Sequence, residues 1–169
     1  MALFGLRNTV YVRIRPDWLS VLQVESGTAY ADVPILAVAN KGGKHAVVAG
    51  GGEAVLAGAA PDVRVGNGFK HPRTLLADFT LAQQTLKCFL RKVKQTSLFA
   101  VSPTLVIHPQ ALLEGGLTQI ERRAWAELGL GAGARKVFVW TGCELTTEQL
   151  RALAFPAVGG CLEYPETLT

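Results

Sequence analysis

Apolar and polar positions alternate at the start of the chain. Val10, Val12 and Ile14 are separated by Tyr11, Arg13 and Arg15, the period of two expected of a strand. Pro16-Asp17 reads as a turn, and Leu19 to Val24 as a second strand closed by Ser26-Gly27. Tyr30 to Ala39 predicts a third strand, interrupted near Pro34. Connections this short imply antiparallel pairing.

The pattern changes over residues 40–76. Lys41-Gly42-Gly43-Lys44 predicts a flexible turn, Val47-Val48 a short strand and Glu53 to Leu56 a short helix. Pro61 to Arg73, with Gly66, Asn67, Gly68 and Pro72, should be rich in loops. Gly50-Gly51-Gly52 invites comparison with a phosphate loop, but no Gly-Lys-Ser/Thr ending follows and no strong strand precedes it. The stretch reads as a small insert.

Helical periodicity then takes over. Asp78 can cap a helix over 78–94 whose apolar face is Phe79, Ala82, Leu86, Phe89, Leu90 and Val93. Thr104 to Ile107 reads as a short buried strand ended by His108-Pro109. Thr118 and Glu121 have capping-box spacing, and Ile120, Ala124 and Leu128 recur every fourth residue. Gly129, Gly131 and Gly133 end that helix, and Val137 to Val139 reads as a buried strand. Thr146 or Thr147 caps a last helix with Leu150, Leu153 and Phe155, and Gly159 to Tyr164 predicts a short final strand.

Three antiparallel strands followed by alternating helices and strands predict an α/β protein. Its mixed five-stranded sheet would carry helices on both faces, in the element order of the ribonuclease H-like fold. The core is expected over 1–39 and 77–169, with the insert at 40–76.

Composition alters this picture little. Hydrophobic content of 49% supports a real core, and charged content of only 18% implies either extensive burial or apolar surface left for partners. The net charge of +4 is compatible with an anionic surface and proves none. Cys88, Cys143 and Cys161 are odd in number and widely spaced, which suggests a reduced, cytoplasmic chain without a zinc site. No apolar run reaches the ~18 residues of a membrane span. The N-terminal Leu3, Phe4 and Leu6 read as a tail tucked onto the body rather than an anchor or signal peptide.

One patch carries candidate chemistry. Leu98-Phe99 lies near Lys92 and Lys94, and two apolar side chains on a basic loop can contribute roughly 3–5 kcal/mol in a lipid interface. The alternative is a loop folded onto the core. His45, His71 and His108 fall in loop contexts with no nucleophile or acid placed beside them. A two-metal nuclease needs an acid on the first strand, and Val10 to Arg15 has none.

Gly116-x-Thr118-Gln119-Ile120-Glu121-Arg122-Arg123-Ala124, followed by Gly131-Ala132-Gly133-Ala134-Arg135-Lys136-Val137-Phe138, resembles the MreB family of bacterial actin-like proteins. Val33 to Val38, Gly52-Glu53-Ala54 and Leu75 to Phe79 are similar to further family segments, so the likeness covers roughly residues 10–140. It implies an actin-type domain I, in which residues 40–76 correspond to the small subdomain IB and the remainder to IA. It also places Ser97-Leu98-Phe99 where some members carry an apolar loop that dips into the membrane.

The departures bear on function. The family's first phosphate loop, Asp-x-Gly-Thr, falls without gaps on Ile14, Pro16 and Asp17. Ile14 cannot hold a magnesium-bound water, and Pro16 offers a phosphate no N–H. Where the family has Glu-Glu-Pro, Trp140-Thr141-Gly142 stands. Neither a second phosphate loop nor a domain II is found in the sequence. Glu121 matches the glutamate used near the attacking water and is the one candidate catalytic residue, with capping preferred to catalysis.

These points lead to the expectation of a cell-shape or cytoskeletal binding or scaffold module rather than an ATPase. It would use no cofactor and no metal and would contact no nucleic acid. Self-association or another actin-like protein would supply the partner, with peripheral contact at the inner face of the cytoplasmic membrane through Leu98, Phe99, Lys92 and Lys94. The alternative is a subunit that binds ATP and Mg2+ by completing its cleft with another chain.

Overall fold

The computed structural model describes residues 7–94 and 101–165. In chain order the elements are β1 (Thr9–Arg15), β2 (Trp18–Gln23), β3 (Ala29–Asp32), β4 (Leu36–Lys41), β5 (Lys44–Gly50), α1 (Gly52–Ala57), β6 (Val63–Gly66), α2 (Phe79–Lys92), β7 (Thr104–Pro109), α3 (Gln119–Gly131), β8 (Lys136–Gly142), α4 (Thr147–Ala152) and β9 (Gly160–Tyr164). They form a six-stranded sheet of order β3-β2-β1-β7-β8-β9 and a three-stranded sheet of order β5-β4-β6.

The main sheet is mixed. β1 pairs antiparallel with β2 and parallel with β7, β7 pairs parallel with β8, and β9 closes the far edge antiparallel to β8. The α/β architecture and the mixed sheet agree with expectation, although the sheet has six strands rather than five. The sixth is β9, which pairs with the free edge of β8 and becomes the outer strand in its place.

Alternation decides which side chains meet which helices. Val10, Val12 and Ile14 of β1, Leu105 and Ile107 of β7, and Val137 and Val139 of β8 join one core with Leu86 and Phe89 of α2 and Trp125 and Leu128 of α3. The intervening Tyr11, Val106, Phe138 and Trp140 form a second core with Leu145 and Leu150, under α4. α3 lies close against β8, because a Cβ at Gly129 would meet a Val137 methyl at 2.6 Å.

Caps set the helix starts. Asp78 accepts from the N–H of Leu81. Thr118 with Glu121, and Thr146 with Gln149, form complete capping boxes.

Four local expectations need correction. The stretch Tyr30 to Ala39 is two strands in two sheets, because the chain leaves β3 at Asp32 and re-enters a ladder only after Pro34. Val63–Gly66, expected as loop, is an edge strand paired with β4. Phe79 and Ile120, expected on buried faces, are exposed, Ile120 by 81%. Ile120 lies about 140° round α3 from Trp125, at 3.6 residues per turn, so it points away from the core stripe. His108 is not in a loop: β7 continues through Pro109, which pairs with Ile14, and His108 is buried.

Candidate functional site

The turn between β1 and β2 is the stretch on which the family resemblance sets the first phosphate loop. Pro16 and Asp17 are its two central residues, between the paired Arg15 and Trp18. Ile14 is fully buried, opposite Leu19 on one side and Pro109 on the other. The carbonyl oxygen of Pro16 accepts from Asn67 Nδ2 at 2.7 Å, and Asn67 Oδ1 accepts from the N–H of Phe69 at 2.8 Å. Phe69 is in turn fully buried and stacked parallel to Trp125, 6.2 Å between centroids. The turn is therefore sewn to the loop that follows the small sheet.

The polar groups near this end of β1 and β7 have partners of their own. Arg13 Nη1 donates to Glu144 Oε1 at 2.8 Å and its Nε to Ser20 Oγ at 3.1 Å. The guanidinium lies 5.1 Å over the Trp18 ring and 5.7 Å over Tyr11. The hydrogen bond from Arg13 holds the Glu144 carboxyl below the usual carboxylate range. Gln110 directs Nε2 toward the same carboxylate, which leaves its Oε1 buried without a partner among the described residues. That orphan is an acceptor, the wrong polarity for a phosphate oxygen.

Behind Arg13 lies a buried chain of hydrogen bonds. His108 Nε2 is 3.0 Å from the carbonyl oxygen of Gly142, which can only accept, so the ring proton sits on Nε2. Nδ1 then accepts from the Tyr11 hydroxyl at 2.6 Å, and that oxygen accepts from the Leu145 N–H at 3.3 Å. Burial lowers the His108 pKa to about 4 and raises that of Tyr11 to about 12, so both are neutral at pH 7. The chain ties β1 to β7 and to the segment after β8. Sequence reasoning missed it because Tyr11 and His108 are 97 positions apart.

Trp140-Thr141-Gly142 is absorbed into the same framework. Trp140 is fully buried, packs on Phe155 and donates from Nε1 to the Cys143 carbonyl at 2.8 Å. Thr141 donates to Glu163 Oε1 at 2.9 Å, and Glu163 Oε2 lies 2.9 Å from Arg122 Nε. These contacts tie β8 to β9 and α3.

The glycine run is also committed internally. Asp32 Oδ2 accepts from the Gly52 N–H at 2.9 Å and from the Tyr30 hydroxyl at 3.1 Å, and Oδ1 accepts from the Val33 N–H. Burial pushes Asp32 up, but these bonds outweigh it and hold the carboxyl below its ordinary value. Gly51 has φ of 72°, and a Cβ there would run into Asp32 Oδ2. The run thus accommodates a protein carboxylate that links the main sheet to the small one.

Glu121 Oε2 accepts from the N–H and the hydroxyl of Thr118, at 2.8 and 2.9 Å. Its carboxylate closes the capping box. Lys92 Nζ lies 5.4 Å over the Tyr30 ring, and Lys94, two residues on, lines a cavity with Lys87 and Arg91. Leu98 and Phe99 lie outside the described residues. Among the described residues no group of three His, Cys, Asp or Glu side chains could hold a metal ion. No helix there is long and apolar enough to cross a membrane.

The β1–β2 turn itself offers a phosphate few groups. Pro16 has no N–H, its carbonyl is engaged, and Ile14 is part of the core.

Comparison with known proteins gives a consistent result. The family described as MreB/Mbl protein matches residues 19–146. The cell shape-determining protein MreB of Pasteurella multocida strain Pm70 is 34% identical over 65 residues, 38% of this chain and 17% of that protein. Its Escherichia coli K12 counterpart is 37% identical over 65 residues, 38% of this chain and 18% of that protein. The matched stretch thus spans under a fifth of these relatives' length. The crystal structure of MreB 5 of Spiroplasma citri bound to AMPPNP superposes with a TM-score of 0.60 at 19% identity, covering 80% of this chain and 38% of that one. That likeness establishes a shared actin-like, ribonuclease H-like fold.

Proposed function

Since the chain belongs to the MreB/Mbl family, we propose that it is a cell-shape or cytoskeletal binding module that works without nucleotide hydrolysis. The observation that carries this is the β1–β2 turn. Pro16 stands at the position of the loop glycine, its carbonyl is taken by Asn67, and Ile14 replaces the magnesium-side acid with a core side chain. A scaffold needs only the fold and a surface.

Self-association, or association with another actin-like protein, is supported by the small sheet. Val47 and Val48 of β5, Val55 and Leu56 of α1 and Val65 of β6 are exposed, Leu56 by 79%. Both β5 and β6 are edge strands. Exposed apolar side chains beside open edges favour pairing with another chain. In this reading the small sheet and α1, residues 36–66, are the presenting subdomain, and Leu98-Phe99 with Lys92 and Lys94 contacts the inner face of the cytoplasmic membrane.

Sedimentation velocity over a wide concentration range tests the module directly. It should be run on the chain alone and mixed with an MreB protein, with and without Mg-ATP. Assembly independent of nucleotide is expected, and Leu56→Glu should weaken it. A strictly monomeric chain that joins no partner would overturn the reading. Assembly that requires ATP would favour a cleft completed by a second chain. Vesicle co-sedimentation of a Leu98→Ser/Phe99→Ser variant checks the membrane contact: unchanged binding would remove it.

A further inference from the structure

A cavity of about 430 Å³ opens at the end of the main sheet opposite the β1–β2 turn. Asn8 before β1, Ser102 before β7, Gly133 after α3 and the C-terminal half of α2 surround it. Lys87, Arg91 and Lys94 all line it. Lys87 and Arg91, four residues apart, lie on one side of the helix, and Lys94 follows just after its end. No carboxylate is among the lining residues, and none of the three cations forms an ion pair among the described residues. The volume lies in the range of small-molecule sites, about 300–1,000 Å³.

The helix dipole accounts for cations in the last turn of α2, where Arg91 and Lys92 stand. It does not account for Lys87, which lies more than a turn further back and is half-buried. Three like charges gathered on one cavity repel one another unless an anion sits between them. Arg91 adds a planar fork suited to two oxygens of one tetrahedral anion. Asn8 and Ser102 add polar groups, and Val10, Leu90 and Val93 give an apolar floor.

We propose that this cavity binds a phosphate-bearing anion, held by Lys87, Arg91 and Lys94. The site is separate from the β1–β2 turn and does not depend on whether the chain hydrolyses or binds ATP there. Two sources share the chemistry, a free phosphate ester and the headgroup of an anionic phospholipid.

Titration of the purified chain with glycerol 3-phosphate and with monomeric dihexanoyl phosphatidylglycerol, followed by amide NMR, tests it. Sedimentation with phosphatidylglycerol and phosphatidylcholine vesicles runs alongside. Saturable shifts at Asn8, Ser102 and Gly133 are expected with at least one of the two phosphate ligands. Lys87→Gln/Arg91→Gln should weaken that binding at least about tenfold, while Lys41→Gln/Lys44→Gln on the small sheet should leave it unchanged. Response to the soluble ester without retention on phosphatidylglycerol vesicles assigns a free ester; retention that the cavity variant loses assigns the headgroup. The proposal fails if neither ligand saturates, or if the cavity and small-sheet variants lower binding equally. Circular dichroism and urea unfolding confirm that each variant is folded.

Discussion

Asn67 and Pro16, 51 positions apart, are joined by a 2.7 Å hydrogen bond from the side-chain amide to the carbonyl oxygen. The bond fixes the β1–β2 turn against the loop after the small sheet, and the same side chain accepts from Phe69. Asn67→Ala should therefore destabilise the fold by about 1–3 kcal/mol, read as a lower urea midpoint with an unchanged slope. An unaltered midpoint would mean that the turn is held by something else.

The Tyr11–His108–Gly142 chain gives stability a pH dependence. Burial lowers the folded pKa of His108 from 6.5 to about 4. Between these values the unfolded chain binds more protons, so stability rises with pH across that window. The contribution is full above pH 6.5 and lost as pH falls toward 4, with a slope up to about 1.4 kcal/mol per pH unit. His108→Gln should flatten the slope of unfolding free energy against pH. Tyr11→Phe should cost about 1–3 kcal/mol at pH 7, because it strands Nδ1. A wild-type slope retained in His108→Gln would contradict the assignment.

At Gly51 the positive φ and the Asp32 carboxylate act together. Gly51→Ala should cost about 1–3 kcal/mol from the backbone conformation alone, and more from the clash. Asp32→Ala removes the acceptor of three hydrogen bonds and also destabilises. The double variant should fall short of the sum of the single ones, with a coupling of about 0.5–3 kcal/mol in thermal or urea unfolding. Strict additivity would show that the two residues act separately.

Glu121 separates capping from catalysis. Gln also serves at the third position of a capping box, so Glu121→Gln should leave the melting temperature nearly unchanged. Glu121→Ala should lower stability by about 0.5–1 kcal/mol. Release of phosphate from ATP by the wild-type chain, lost in Glu121→Gln, would restore the catalytic role.

Strong local signals were legible in the sequence. The alternation in β1, the capping box at Thr118, the cap at Asp78 and the motif residues from 116 to 138 led to the right elements and the right family. What escaped was set by partners distant in sequence. Val63–Gly66 carries turn residues on both sides and becomes a strand only because β4 offers a ladder. Pro109 looks like a strand end, yet it continues β7 beside Ile14. The commitment of the glycine run to Asp32, and of the β1–β2 turn to Asn67, depends on contacts that no local pattern encodes. The lack of an Asp-x-Gly-Thr run between β1 and β2 was legible at once, because a short motif is read without any distant partner.

The measurement that bears most directly on the central claim is a Mg-ATP titration of the intact chain followed by NMR at the Trp18 indole and the Asn67 side-chain amide. Both probes sit at the β1–β2 turn, apart from the basic cavity. The account predicts no saturable shift at either probe up to millimolar nucleotide. Saturable shifts at Trp18 and Asn67 would contradict it, and would mean that the turn opens to receive phosphates after all.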